Sequence, residues 1–97
     1  MLHLVSQPAA LELLPQRIMA GDAVLLQRAA LWAALAARAE AAGVNALIAK
    51  QVQVYVLQEW LTVNGVTAEQ LAAKVQVIDY PGMVTLTERH AGNAAWN

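Results

Sequence analysis

The fold of this chain is decided by residues 75–96, which have the sequence VQVIDYPGMVTLTERHAGNAAW. The apolar run at residues 75–78 predicts a β-strand, and Asp79 marks the end of that strand. Pro81 suits the first turn of a helix because its φ is fixed and it has no N–H to leave unbonded. Apolar residues at helical spacing then predict a helix over residues 81–90, with Gly92 as its end. A strand that leads directly into a helix indicates an α/β fold.

Three further strands and several helices are predicted upstream of this stretch. Apolar and β-branched runs predict strands over residues 2–5, 23–27 and 52–57. We expect helices over residues 9–19 with a break at Pro15, 29–42 with an end at Gly43, 58–64 with an end at Gly65, and 67–74 after a capping box. Residues 44–49 are left open as a further helical turn. This alternation predicts a single domain over residues 1–97, a three-layer α/β/α fold with a mainly parallel sheet of four to five strands.

The composition is strongly apolar. Hydrophobic residues make up 59% of the sequence and charged residues 13%, against about 45–50% and about 25% in typical soluble domains. No apolar run reaches the roughly 18 residues that span a membrane, and the first residues lack the basic segment and apolar core of a signal peptide. We therefore expect a cytoplasmic chain whose surplus apolar surface contacts another protein.

Charge and cysteine content narrow the functional classes further. The net charge is −1 with six Lys and Arg residues, which is too few cations for a surface that binds phosphate backbones. Direct binding of nucleic acid by this chain is therefore not expected. The chain has no cysteine, so it can form neither a persulfide nor a thiolate nucleophile.

No catalytic, cofactor-binding or metal-binding residues are predicted. Ser6, His3, His90 and Asp79 supply the residue types of a hydrolase triad, but no Gly-x-Ser-x-Gly elbow surrounds the serine. Two histidines without a cysteine make a poor set of metal ligands, and the isolated glycines form no nucleotide-binding motif. We interpret His3 as a hydrogen-bonded strand residue and His90 as a cation at a helix end.

Asp79 is the one carboxylate with a competing functional interpretation. It ends a predicted strand at the carboxyl edge of a parallel sheet, where open α/β folds bind ligands. It also stands two residues before Pro81, so its side chain can cap the helix that begins there. Of these two roles we favour capping.

Five residues are candidates for a protein–protein interface. The three tryptophans fit a core or an interface better than a cofactor stack, and the chain has no phenylalanine to share that role. A large apolar side chain next to a chain end, such as that of Trp96, is usually held against the same chain or a partner. The candidate interface residues are Trp96, Trp32, Leu31, Tyr80 and His90.

The order of residues over most of the chain resembles the DsrH/TusB family, which comprises small subunits of bacterial sulfur-relay complexes. The resemblance depends on an ordered set of residues rather than on one motif. The set comprises Met1-Leu2-His3, Gly21-Asp22 and the strand that follows, Val54-Tyr55-Val56-Leu57, Glu59, Leu61, Gly65, Ile78-Asp79-Tyr80, Val84, Leu86-Thr87, His90 and Ala95-Trp96.

Two positions depart from the pattern of that family. Many members have Asp-Gly after the second strand, whereas this chain has Arg28-Ala29, so the loop above the sheet edge is expected to differ. Some members from sulfur-oxidising bacteria have a cysteine in the first helix, where this chain has Leu13-Leu14-Pro15. In the second respect the chain is similar to the TusB branch, whose members often lack that thiol.

The resemblance implies a three-layer α/β fold and a heterohexamer of three homologous small subunits, each present twice. It also implies a route for sulfur, from a cysteine desulfurase through a carrier to a cysteine of the D-type subunit, and onward to the enzyme that makes 2-thiouridine at tRNA wobble positions. Each transfer needs a thiolate that attacks a sulfane sulfur. Without a cysteine, this chain would be the non-catalytic subunit, with TusC-like and TusD-like subunits and a downstream sulfur carrier as partners.

Two other functions stay open from the sequence. One is a regulatory or binding module of the same fold that assembles with itself. The other is a small stand-alone enzyme with a site near Asp79 or His90. The missing cysteine and the missing catalytic motifs separate the relay subunit from the enzyme.

Overall fold

The computed structural model describes residues 1–6, 18–28, 32, 35, 41–71, 74–90 and 92–96. Its strands are β1 (Leu2–Val5), β2 (Ala23–Leu26), β3 (Gln53–Leu57), β4 (Gln76–Ile78) and β5 (Asn93–Trp96). Its helices are α1 (Ala41–Ala49), α2 (Gln58–Asn64) and α3 (Tyr80–Arg89), with a 3-10 helix at Ala68–Gln70. Within these described ranges, no helix is long and apolar enough to cross a membrane.

The strands form one parallel sheet in the order β4-β3-β2-β1-β5. Side chains alternate between the two faces along each strand, so the sheet builds two apolar cores. One face packs against α1 and α2 through Val24, Val56, Leu47 and Leu61. The other face packs against α3 through Leu25, Leu57 and Leu86. Helices therefore lie on both faces, and the predicted three-layer α/β/α architecture with a parallel sheet is confirmed.

Strand β5 is the element that the sequence pattern does not predict. Its sequence NAAW has no β-branched residue, and alanine and asparagine are uncommon in strands. The edge of β1 provides the pairing instead, because Leu2 N–H donates to Gly92 O at 3.0 Å and β5 continues the parallel ladder along β1. Gly92 therefore leads into β5, and the prediction that it ends the last helix is wrong, since α3 ends at Arg89.

The prediction that Gly43 ends a helix is also wrong. Helix α1 passes through Gly43 because Val44 and Leu47, which follow it, are completely buried against the sheet. The helix ends in a turn at Gln51, which has φ +65° and donates its N–H to Ile48 O at 3.0 Å. Residues 44–49 are thus helical. The helices predicted over residues 9–19 and 29–42 lie mostly outside the described residues.

The helix predicted over residues 67–74 is shorter than expected. Its capping box is present, since Thr67 N–H donates to Gln70 Oε1 at 2.9 Å and Gln70 N–H donates back to the Thr67 side chain. The helix nevertheless ends at Gln70, because Leu71 takes an extended backbone and its side chain is buried in the core. Burial of one leucine therefore outweighs continuation of the helix. The other predicted strands and helices lie within one residue of their observed limits.

Candidate functional site

Strands β3 and β4 end side by side, and each leads directly into a helix. Leu57 and Ile78 are register partners at the carboxyl ends of these strands. Leu57 is the N-cap of α2, and Asp79 is the N-cap of α3. The first turns of α2 and α3 therefore meet at the carboxyl edge of the sheet, the position at which open α/β sheets bind ligands.

A groove lies between these two helices. One part is a cavity of about 210 Å³ lined by Glu59, Trp60, Val63 and Tyr80. The other part is a cavity of about 500 Å³ that is also lined by Glu59 and Val63, together with Gln58, Thr62 and Asp79. We call the surface formed by these seven residues the carboxyl-edge groove.

The carboxyl-edge groove exposes apolar surface that the described part of the fold leaves uncovered. Val63 is 81% exposed and Tyr80 is 50% exposed. Trp60 is partly buried and packs against both apolar cores, so the end of the sheet holds it in place. An exposed apolar surface beside well-packed aromatic side chains is typical of a protein–protein interface.

Two carboxylates lie in the same groove. Glu59 is in the first turn of α2, and its Oε2 is buried without a hydrogen-bond partner among the described residues. Asp79 is exposed, and its Oδ1 accepts the N–H of Gly82 at 2.8 Å. Of the residues that the structure describes, no Lys, Arg or His lines the groove. The groove is therefore both apolar and anionic.

The hydrogen bond from Gly82 confirms that Asp79 caps α3. Pro81 stands in the first turn of that helix, as the sequence predicts. A Cβ at Gly82 would lie 3.1 Å from Asp79 Oδ1 and 3.3 Å from Ile78 Cβ, so a side chain there would require these neighbours to shift by a few tenths of an ångström. The turn after β4 is thus arranged around the Asp79 carboxylate.

At the opposite edge of the sheet, Asp22 joins the starts of β1 and β2. Its Oδ1 accepts a hydrogen bond from the Met1 ammonium at 2.9 Å, and its Oδ2 lies 3.1 Å from His3 Nε2 and accepts the Met19 N–H at 3.2 Å. Burial acts to raise the pKa of Asp22, but the hydrogen bonds from Met1, His3 and Met19 outweigh it and lower that pKa from 3.8 to about 2. His3 is buried and hydrogen-bonded, as predicted. Both oxygens of Asp22 are engaged within the fold, so we assign this cluster to stability.

His90 lies at the C-terminal end of α3, where the sequence predicts it. It is partly buried and follows the last residue of α3. Burial, the Met1 ammonium and Arg89 lower the pKa of His90, against the opposing effect of Asp22. These surroundings therefore favour the neutral imidazole more than water does around a free histidine. In the described parts of the chain, no group of three or more His, Asp or Glu side chains is placed to hold a metal ion.

The described parts of the candidate interface residues lie at different places on the fold. Tyr80 lines the carboxyl-edge groove beside β4, whereas Trp96 belongs to β5 at the other side of the sheet, where the structure describes its backbone. His90 lies at the far end of α3 from Tyr80. Trp32 is partly buried, and Leu31 lies outside the described residues. A role for these five residues in an interface stays a prediction.

Glu59 and Val63 are groove residues that the sequence analysis does not identify. They are four residues apart, so they lie on one side of α2. They could have been identified from the position of this short helix. It begins directly after the strongest predicted strand, at the carboxyl edge of the sheet, where open α/β folds bind ligands.

Comparisons with known proteins agree with this architecture. A family model described as DsrH like protein matches residues 5–93. The crystal structure of the ychN protein from E. coli is similar, with a TM-score of 0.77, 14% identity, and coverage of 98% of this chain and 97% of that chain. The structure of MTH1491, a protein of unknown function from Methanobacterium thermoautotrophicum, has a TM-score of 0.75, 11% identity, and coverage of 98% of this chain and 96% of that chain. No curated protein matches the sequence. At these identities, the two structures establish the fold alone.

Proposed function

This chain belongs to the DsrH-like family, and we propose that it is a non-catalytic structural subunit of a TusBCD-like sulfur-relay complex. Family membership supports a sulfur-relay-related subunit in general. The observation that carries the finer proposal is the absence of cysteine from the 97-residue sequence. A subunit without a thiol can support sulfur transfer only by holding or positioning the chains that have one.

Persulfide transfer needs a cysteine on each side of the reaction. The acceptor thiolate attacks the terminal sulfur of the donor persulfide, a new S–S bond forms, and the donor cysteine leaves as a thiolate. This chain provides neither the attacking nor the leaving sulfur. Its proposed partners are therefore a TusC-like subunit, a TusD-like subunit with the persulfide cysteine, and a downstream sulfur carrier.

The carboxyl-edge groove is the surface that best supports a role in assembly. Val63 and Tyr80 expose apolar area there, and covering that area with a partner removes it from water. The proposed complex is cytoplasmic and supplies sulfur for 2-thiouridine at tRNA wobble positions. This chain does not contact the tRNA itself, since its net charge of −1 provides no surface for phosphates.

Co-expression tests the proposal. The chain is produced with an affinity tag together with homologous TusC-like and TusD-like subunits. The molar mass of the purified material is then measured by light scattering. We expect one species of defined mass that contains all three chains, with the mass of a heterohexamer. Recovery of this chain alone would contradict the proposal. A homo-oligomer would favour the self-assembling module, and a monomer with catalytic activity would favour the stand-alone enzyme.

A charge placed in the groove tests the proposed surface. Val63→Lys should reduce the yield of the three-chain complex, because the ammonium replaces apolar surface in the groove and would lose its water on assembly. Val84→Lys is the matched control, since Val84 is 51% exposed on α3 and lies outside the groove. Equal yields from the two variants would exclude the groove as the assembly surface.

A further inference from the structure

We propose that the carboxyl-edge groove binds an arginine side chain from an apolar segment of a homologous partner subunit, and that Glu59 is the carboxylate that pairs with it. This inference rests on the proposed function, because it takes the partner to be a subunit of the same complex. Beyond that function, the inference names the group that the partner inserts and the residue of this chain that binds it.

Glu59 has a carboxylate oxygen whose hydrogen-bonding capacity is unused among the described residues. Its Oε2 is buried and has no hydrogen-bond partner among the described residues. A buried carboxylate oxygen without a donor costs free energy, and a cation placed beside the same carboxylate offsets part of that cost. Glu59 lines both cavities of the groove, so a cation that enters either cavity lies next to its side chain.

The charge of the groove indicates the charge of the group that occupies it. Glu59 and Asp79 are the charged residues of the groove, and no described Lys, Arg or His balances them there. The complementary group is a cation. The same charge excludes the phosphate backbone of tRNA as the occupant of this groove, because phosphates would be repelled by the two carboxylates.

The aromatic lining of the smaller cavity favours arginine over lysine as that cation. The smaller cavity is walled by the aromatic rings of Trp60 and Tyr80, with Val63 beside them. A guanidinium stacks on aromatic faces and binds a carboxylate with two parallel N–H groups, whereas an ammonium is a more strongly hydrated point charge. An apolar, aromatic wall next to a buried carboxylate oxygen therefore fits arginine better.

The volumes of the two cavities indicate the size of the occupant. The aromatic cavity has a volume of about 210 Å³, which suits one inserted side chain. The adjoining cavity of about 500 Å³ is lined by Gln58, Thr62 and Asp79, and it can hold the polar backbone that flanks the arginine.

An affinity measurement with a matched pair of variants tests the role of Glu59. The wild-type chain, Glu59→Gln and Glu69→Gln are each titrated against the co-purified TusC-like and TusD-like pair, after circular dichroism has verified the fold of each variant. Glu59→Gln keeps the size of the side chain and removes its charge, so we expect binding weaker by about tenfold or more. Glu69 is exposed on the 3-10 helix outside the groove, so Glu69→Gln should bind like the wild type.

The outcomes separate this inference from the proposed function. If the wild-type chain does not bind the partner pair, both the proposed function and the arginine contact are contradicted. If the wild-type chain binds and Glu59→Gln binds equally tightly, the arginine contact is wrong and the relay-subunit proposal stands.

A photo-crosslink identifies the occupant directly. Benzoylphenylalanine at Thr62, which is exposed and lines the larger cavity but not the aromatic one, is irradiated in the assembled complex, and the attached partner peptide is sequenced by mass spectrometry. We expect an arginine flanked by apolar residues, and replacement of that arginine by lysine should weaken binding to the wild-type chain but have little effect on binding to Glu59→Gln. A peptide without arginine, or a crosslink to a second copy of this chain, would overturn the inference.

Discussion

Among the described residues, Asp22 links the stability of this chain to pH through its lowered pKa. Its carboxylate contacts the Met1 ammonium, His3 Nε2 and the Met19 N–H, and its pKa falls from 3.8 to about 2. A carboxyl group with a lower pKa in the folded state than in the unfolded state contributes stability above its unfolded pKa. That contribution is lost as the pH falls from 3.8 towards 2, because the group becomes protonated.

Asp22→Asn should therefore lower the free energy of unfolding by about 1–2 kcal/mol near neutral pH. Asparagine keeps the size of the side chain but not the charge that holds the Met1 ammonium and His3. The difference between the two proteins should shrink as the pH falls from 3.8 towards 2 and approach zero below a pH of about 2, where the wild-type carboxyl is also mostly protonated. Urea unfolding over this pH range measures the difference, and a difference that does not change with pH would contradict this role for Asp22.

Asp79 provides a second test at the same scale, because it separates helix capping from catalysis. Asp79→Ala should lower the free energy of unfolding by about 1 kcal/mol, since the Gly82 N–H loses its acceptor. Asp79→Asn should be nearly neutral, because asparagine caps helices about as well as aspartate. Thermal unfolding of the two variants measures both effects. An activity that Asp79→Asn abolishes without loss of stability would instead support an enzyme with its site at this residue.

The residue-scale features that the sequence predicts are local ones. The Asp79 cap and the capping box at Thr67 both follow from spacings of three residues along the chain. The unpartnered Oε2 of Glu59 and the contact of Asp22 with His3 depend on residues that the fold brings together from distant positions. No local pattern encodes such contacts, so they become visible only in the folded chain.

At the scale of elements, two helices end in the same hydrogen-bonded turn with different residues at its left-handed position. In the turn after α2, Gly65 has φ +68° and Val66 N–H donates to Leu61 O at 2.9 Å. In the turn after α1, Gln51 has φ +65° and Val52 N–H donates to Leu47 O at 3.1 Å. Glycine adopts this conformation freely, whereas a residue with a Cβ is strained there.

Substitutions at the two turns should therefore act in opposite directions. Gly65→Ala should lower the free energy of unfolding by about 1 kcal/mol, although its Cβ meets no atom within 4 Å. Gln51→Gly should raise the free energy of unfolding by up to about 1 kcal/mol, since it relieves the same backbone strain. Urea unfolding measures both, with Gly65→Asn as a milder control because asparagine tolerates the left-handed region. A stabilising Gly65→Ala would show that the turn is not strained by a side chain.

The elements also show where prediction from sequence reaches its limit. Strands β1, β2 and β3 are found because buried strands in a parallel sheet are continuous apolar runs. The end of α1 and the strand β5 are missed for one common reason, which is that tertiary contacts decide them. Burial of Val44 and Leu47 carries α1 through a glycine, and the edge of β1 pairs with a segment of low strand propensity.

At the scale of the whole molecule, the chain has more apolar residues than the cores of its small parallel sheet bury. The sheet has helices on both faces, and its cores account for the buried apolar side chains. Val63, Tyr80 and Val84 are large apolar residues that remain exposed on α2 and α3. The composition predicts such exposed surface and a protein partner, but it does not predict where on the fold the surface lies. The position follows from the register of β3 and β4, which brings the start of α3 next to α2 at the carboxyl edge of the sheet.

Native mass spectrometry of the co-expressed complex, before and after loading with sulfur from a cysteine desulfurase, tests the central proposal most directly. The measurement reports which chains assemble and which of them gains mass on loading. We predict that this chain joins the TusC-like and TusD-like subunits, that its own mass does not change, and that the TusD-like subunit gains sulfur. A chain that remains outside the complex, or one that itself gains sulfur, would contradict its role as a non-catalytic relay subunit.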